Sequence, residues 1–240
     1  MNDDEIVIAG TPEQVWEAIT TAKGSAAWSF RMDVEPRVGG AVRIGREPFA
    51  GETEATVSAW EPPTRFGYRD ETFATEFLVT ARDQGSCVVR VVSSLQTDGE
   101  GWDEIAEEAA AGWRMTLQVL RTYVTHFAGQ PAAKVDLIVP VKAPPTARAE
   151  IGERLAGELG IGDNTCDGPL ISGEVDHRGP YFALVRTKKP GMFAVSCFPM
   201  DAVTLSINVT GRLYGPEAEA RAIKERRRWR EWLNGFVETI

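Results

Sequence analysis

Residues 101–127 read GWDEIAEEAAAGWRMTLQVLRTYVTHF, and the way this stretch folds decides the rest. Apolar residues recur at Trp102, Ala106, Ala109, Trp113, Leu117, Leu120, Val124 and Phe127, the three-and-four spacing of one helical face. Acids crowd its start (Asp103, Glu104, Glu107, Glu108), and Arg114 and Arg121 follow, an order the helix dipole favours. Gly129 and Pro131 stop it. The spacing therefore predicts a helix over 101–127. Its inner face changes character along its length. The first half offers only Ala106 and Ala109, the second Trp113, Leu117, Leu120 and Phe127. A helix this long must lie across a sheet, and its small-residue end either meets bulky strand side chains or leaves a hollow.

The sheet is legible in the residues before it. Glu5–Ala9 reads as a short apolar strand. Thr11 can cap the next helix, with Pro12 at the first position and Gln14 at the capping-box position. Within PEQVWEAITTA, Val15 and Ile19 share a face with Trp16 beside them, and residues 26–30 continue as a second short helix or turn. AVRIG, ETEATVSAWE, RFGYRDE, ATEFLVTARD and SCVVRVVSSLQ then read as successive strands, with turn signals at Pro48/Gly51, Pro62-Pro63 and Gln84-Gly85. Strands spaced this closely pair antiparallel, because parallel pairs need long crossovers.

The order and residues of TPEQVWEAITTAKGSAAWSF, DVEPRVGGAVRI, GETEATVSAWEPPTRFGYR and GWRMTLQVLRTYV resemble the START-like (SRPBCC) superfamily. Within it, the chain resembles most the subfamily named after the activator of the heat-shock protein 90 ATPase. The motifs that carry the resemblance are Val15-Trp16, Gly39-Gly40, Glu61-Pro62-Pro63 with Arg65, and Gly112-Trp113, all between residues 5 and 128. The resemblance implies a helix-grip fold, a curved antiparallel sheet around the long helix with a cavity between them. Many members carry a tryptophan pair where this chain reads Trp28-Ser29-Phe30, so pocket shape does not transfer directly.

The fold class expected is α+β, with the helix-grip domain over residues 1–130 and a second, smaller α+β domain over 134–240. In the second domain VDLIVPV reads as a strand and Pro144-Pro145 opens a helix. PLISGEVD, YFALVRTKK, MFAVSCF and AVTLSINVTGRL are further strands, and Pro216 opens a last helix ending with Trp229, Leu233, Phe236 and Ile240. These four repeat Trp113, Leu117, Leu120 and Val124 at one constant offset, so the domain reads as a shortened copy of the first; an unrelated α+β domain is the alternative. The last helix is basic but interleaved with Glu225 and Glu231, the pattern of a solvated face with internal ion pairs.

Composition narrows the partners. A net charge of −9 and a pI near 4.9 speak against nucleic acid and anionic membrane surfaces. No apolar run reaches the roughly 20 residues of a membrane span. The start MNDDEIVIAG is acidic where a signal peptide would be basic, and Cys87, Cys166 and Cys197 are odd in number and scattered, so a reduced, cytoplasmic setting is expected.

Catalysis has little to rest on. His126 lies at a helix end and His177 in a polar turn, neither near a nucleophile motif, while Glu54, Glu71 and Glu76 read as the solvent face of strands. No metal-ligand spacing occurs, no cofactor is expected, and residues 163–168 read as a plain turn. The expected site is the space under the long helix, walled by Trp28, Phe30, Trp60, Tyr68, Phe77, Ala106, Ala109 and Trp113. An empty hollow of roughly 300 Å³ would cost about 7 kcal/mol, so it is filled by side chains, wet, or occupied by an apolar guest. The resemblance favours the guest, a small hydrophobic molecule bound without catalysis. It also implies two alternatives: an accessory protein that binds a chaperone or other protein, and an enzyme of the polyketide cyclase or aromatase type.

Overall fold

Thr11 sets the first helix in the way its sequence predicts. In the computed structural model its hydroxyl accepts from Gln14 N while the Gln14 side chain accepts from Thr11 N, a complete capping box. The structure describes residues 2–48, 51–95 and 102–240, with side chains described except at 2, 95 and 102–109. The chain divides into two units, Met1–Pro131 and Ala132–Ile240.

In the first unit, β1 (Asn2–Ala9), α1 (Pro12–Thr20) and α2 (Ala22–Ala26) precede six further strands. These are β2 (Arg31–Val34), β3 (Ala41–Gly45), β4 (Glu52–Glu61), β5 (Arg65–Arg69), β6 (Phe73–Arg82) and β7 (Ser86–Leu95), followed by α3 (Trp102–Phe127). They form one antiparallel sheet in the order β1-β7-β6-β5-β4-β3-β2. Asp3 of β1 and Arg90 of β7 form a two-pronged ion pair. That pair holds the Asp3 carboxyl below the ordinary carboxylate range. A depressed carboxylate contributes stability above its unfolded pKa and loses it as pH falls through the folded one. Acidification below the ordinary carboxylate range should therefore lower the urea midpoint of the wild type, and Asp3→Asn should remove that part of the slope.

Two details differ from the sequence reading. A second short helix, Ala22–Ala26, comes ahead of the turn that residues 27–28 form, because Thr21 leaves the helical region and its hydroxyl accepts from Gly24 N. The strand β2 is additional; with only Met32 and Val34 alternating, it is too short for a periodic signal.

Along α3, Leu117, Leu120, Val124 and Phe127 are buried as the stripe requires, and so are Val119, Thr122 and Tyr123. The buried face is wider than one stripe because α3 meets β1 and β7 on one side and α1 on another.

The second unit contains β8 (Ala133–Val141), α4 (Arg148–Glu158), β9 (Thr165–Asp167), β10 (Ser172–Arg178), β11 (Phe182–Thr187), β12 (Gly191–Pro199), β13 (Leu205–Leu213) and α5 (Ala218–Val237). Its antiparallel sheet runs β8-β13-β12-β11-β10-β9, the path of the first sheet with one strand fewer. Trp229, Leu233 and Phe236 of α5 are buried in its core, with Trp229 stacked on Phe193 at 5.4 Å. Ile240 is not part of this face: the helix ends at Val237 and Ile240 is 45% exposed. Arg148 fastens α4, its guanidinium lying 3.8 Å from the Tyr181 ring while Nε donates to Cys197 O at 2.7 Å.

Three local readings are corrected here. Residues 165–167 are the strand β9 rather than a turn. His177 lies in β10, stacked on Phe182 at 4.2 Å. In the first unit, Glu71 lies beyond the end of β5, in the turn before β6. The arginines of α5 behave as a solvated face: Arg227 pairs with Glu231 and Arg228 with Glu225. No helix among the described residues is long and apolar enough to cross a membrane.

Candidate functional site

Partner residues on neighbouring strands share a face, so register shows which side chains meet under α3. Val91 opposes Phe77, Phe77 opposes Phe66, and Phe66 opposes Trp60. The result is a chain of rings across the inner face. Trp16 of α1 meets Trp60 edge-on at 5.0 Å, Trp60 meets Phe66 at 5.7 Å, and Phe66 stacks on Phe77 at 6.3 Å. Phe77 meets Trp113 of α3 edge-on at 5.7 Å. Each such pair adds about 0.5–1.5 kcal/mol beyond the area it buries. This part of the interior is solid.

Trp60 reaches the chain through a bulge. The register shifts between Val57 and Ala59, so Val57 opposes Tyr68 while Trp60 opposes Phe66. Strict alternation from Val57 would have sent Trp60 to the other face. Gly67 makes the room: a Cβ there would stand 2.7 Å from Ser58 Oγ and 3.2 Å from Ala59 Cβ.

The inner face turns polar toward the beginning of α3. Val124 of α3 lies against Gly10, past the Ser86 end of β7, and Arg114 pairs with Asp4, which opposes Val91, so the helical turns before Trp113 run toward the Ser93 end of β7. There Tyr68, Thr75 and Ser93 are successive partners, and all three are buried. Arg46 follows Val42 and Ile44 at the same parity, and its buried Nε has no hydrogen-bond partner among the described residues. Burial raises the Tyr68 phenol pKa, while its bond to Thr75 and the nearby Arg46 charge pull it back down. The phenol stays protonated, an O–H donor beside a guanidinium.

Of the expected site residues, Tyr68, Phe77 and Trp113 come together on this face, and Trp60 joins them through Phe66. Trp28 is buried against α1, its indole N–H donating to Ala18 O at 2.9 Å. Phe30 is half-buried just before β2. The side chains of Ala106 and Ala109 lie outside the described residues. Arg46, Thr75, Ser93 and Phe66 were missed, although parity with Ile44, Phe77, Val91 and Tyr68 marks all four as inward.

Cys87, Cys166 and Cys197 are buried, and burial raises all three thiol pKa values. Among the described residues no group of three or more histidines, cysteines and acids could hold a metal ion. Asn208, in a glycosylation sequon, is buried and its Nδ2 donates to Ser206 Oγ.

A separate groove of about 770 Å³ opens between α1 and strands β2 to β4, lined in part by Trp16, Trp60, Pro62 and Pro63.

Residues 9–125 match the sequence model of the family described as activator of Hsp90 ATPase homolog 1-like protein. Comparison with curated proteins found no match. Among solved structures, an Aha1 dimer from Colwellia psychrerythraea is 18% identical over 52% of this chain and 96% of its own, with a TM-score of 0.44. The di-domain ARO/CYC protein StfQ of the steffimycin biosynthetic pathway is 12% identical over 98% of this chain and 94% of its own, at 0.46. DynU16, from the dynemicin biosynthetic locus, is 15% identical over 94% and 92%, at 0.47. Likenesses this distant bear on no residue's role.

Proposed function

We propose, from the premise that the unit Met1–Pro131 belongs to the activator of Hsp90 ATPase homolog 1-like family, that it binds a small, mainly hydrophobic molecule without transforming it. The molecule lies between the sheet and the first turns of α3, beside the packed rings rather than in place of them. Its apolar body rests on Phe77 and Trp113, and its polar end faces Arg46 and Tyr68.

The observation that supports this most is the buried Arg46 Nε, which has no hydrogen-bond partner among the described residues. Leaving a buried donor unsatisfied costs about 1–3 kcal/mol, and more when it is charged. An acceptor carried in by a guest offsets that cost. The apolar body adds about 25 cal/mol for each Å² it removes from water.

Thermal unfolding with naphthoic acid and with naphthalene tests the reading. Naphthoate at a hundredfold excess over its Kd should stabilise the unit by about 2.7 kcal/mol. Naphthalene should stabilise it less, and Arg46→Met should erase the difference between the two. The compounds should be recovered chemically unchanged. Melting curves that neither compound moves would sink the proposal.

A further inference from the structure

The groove between α1 and strands β2 to β4 has a composition unlike the interior. Trp16 and Trp60 stand edge-on at 5.0 Å and are half-buried, with Pro36, Pro62 and Pro63 around them. Four acids also line it: Glu13, Glu17, Asp33 and Glu35.

The acids are not equivalent. Asp33 is held by Arg31 in a two-pronged pair, and Glu35 by Arg37 at 3.0 Å. Arg43, a base of the lining, stands 3.9 Å from Glu54. Glu13 and Glu17 have no cationic partner among the described residues. They sit one turn apart on α1, a spacing at which like charges repel by about 0.2–0.5 kcal/mol. Glu13 at least lies in the first turn, where the helix dipole favours an acid, and its pKa is lowered by its own backbone N–H and by Thr11. Glu17 has no such support. It falls toward the C-terminal end of α1, whose last turn carries no basic residue. A like-charge pair, with one of its acids unsupported near the helix end, points to an opposite charge supplied from outside the fold.

We propose that this groove docks an extended basic peptide segment, one that alternates lysine or arginine with aliphatic residues. The charge complementarity is set by Glu13 and Glu17. The parts of the Trp16 and Trp60 indoles that line the groove favour the same partner, because tryptophan is the strongest side-chain partner for a cation over its ring. Size and shape select a peptide over a lone amine: about 770 Å³, open to solvent, is far more than one ammonium group fills. The proline-rich wall offers apolar surface to the aliphatic residues between the charges. This site is independent of the guest proposed under α3, whose apolar body meets other residues.

Fluorescence anisotropy of a fluorescein-labelled nonapeptide of alternating lysine and leucine tests the proposal on the full chain. The wild type should bind it, more weakly as salt rises, and should not bind the matching glutamate–leucine peptide. The double variant Glu13→Gln/Glu17→Gln should bind about tenfold more weakly, the sum expected for two solvent-accessible ion pairs. Its melting temperature should stay close to that of the wild type, since the repulsion relieved within α1 is offset by the lost support of Glu13 in the first turn. Equal affinity of the double variant for the basic peptide would overturn the assignment. So would equal binding of the acidic peptide, or full displacement of the basic peptide by an equimolar amount of spermidine, which would mark a small-amine site.

Discussion

Asp136→Ala is expected to cost the second unit about 3–5 kcal/mol, the largest single effect outside its apolar core. Asp136 of β8 pairs with Arg212 of β13, whose residue is 1% exposed. The same Arg212 Nη1 also donates to Gly211 O at 2.8 Å. Removing the carboxylate takes from an interior guanidinium the anion paired with it, and that is where the cost arises rather than in the lost attraction alone. Replacing both partners, Asp136→Leu with Arg212→Met, should recover most of the loss, because two buried charges are themselves expensive to desolvate. Urea unfolding monitored by hydrogen exchange at β13 amides reads both variants. A loss under about 1 kcal/mol for the single variant would mean that water reaches the pair.

Phe66→Ala should destabilise the first unit by about 3–5 kcal/mol, as for other fully buried aromatic residues. Phe66 is 0% exposed and lies within ring-contact distance of Trp16, Trp60, Tyr68 and Phe77. No other ring of the chain has so many ring neighbours among the described contacts. The hole left behind is lined by rings, so it should stay dry and take up benzene, restoring part of the lost melting temperature. Thermal unfolding with and without benzene measures both effects. A variant whose melting point is low and indifferent to benzene would show that the neighbouring rings collapse into the space.

The ring-lined face under α3 is half legible in the sequence. Tyr68, Phe77 and Trp113 were identified from the strands and helix that carry them, and their meeting follows from a regular meander under a long helix. Arg46 was not, because a charged residue at a strand end reads as solvent-facing by default. Its parity with Val42 and Ile44 was the available signal, outweighed by its chemistry. Trp28 was assigned to the pocket because it lies beside the right elements, yet its indole N–H is spent on Ala18 O, a bond between residues ten apart that no periodicity announces.

By itself the sequence determined what is set by neighbours along the chain. The capping box at Thr11 starts α1, the apolar stripe from Trp113 to Phe127 gives α3 its buried side, and the short turns make the sheets antiparallel. Only the tertiary structure decided what depends on register between strands. The bulge between Val57 and Ala59 carries Trp60 across to Phe66 and so links the groove to the interior through one ring chain. A shift of one residue reverses which face a strand side chain occupies, and that shift is fixed by the room Gly67 leaves on the neighbouring strand.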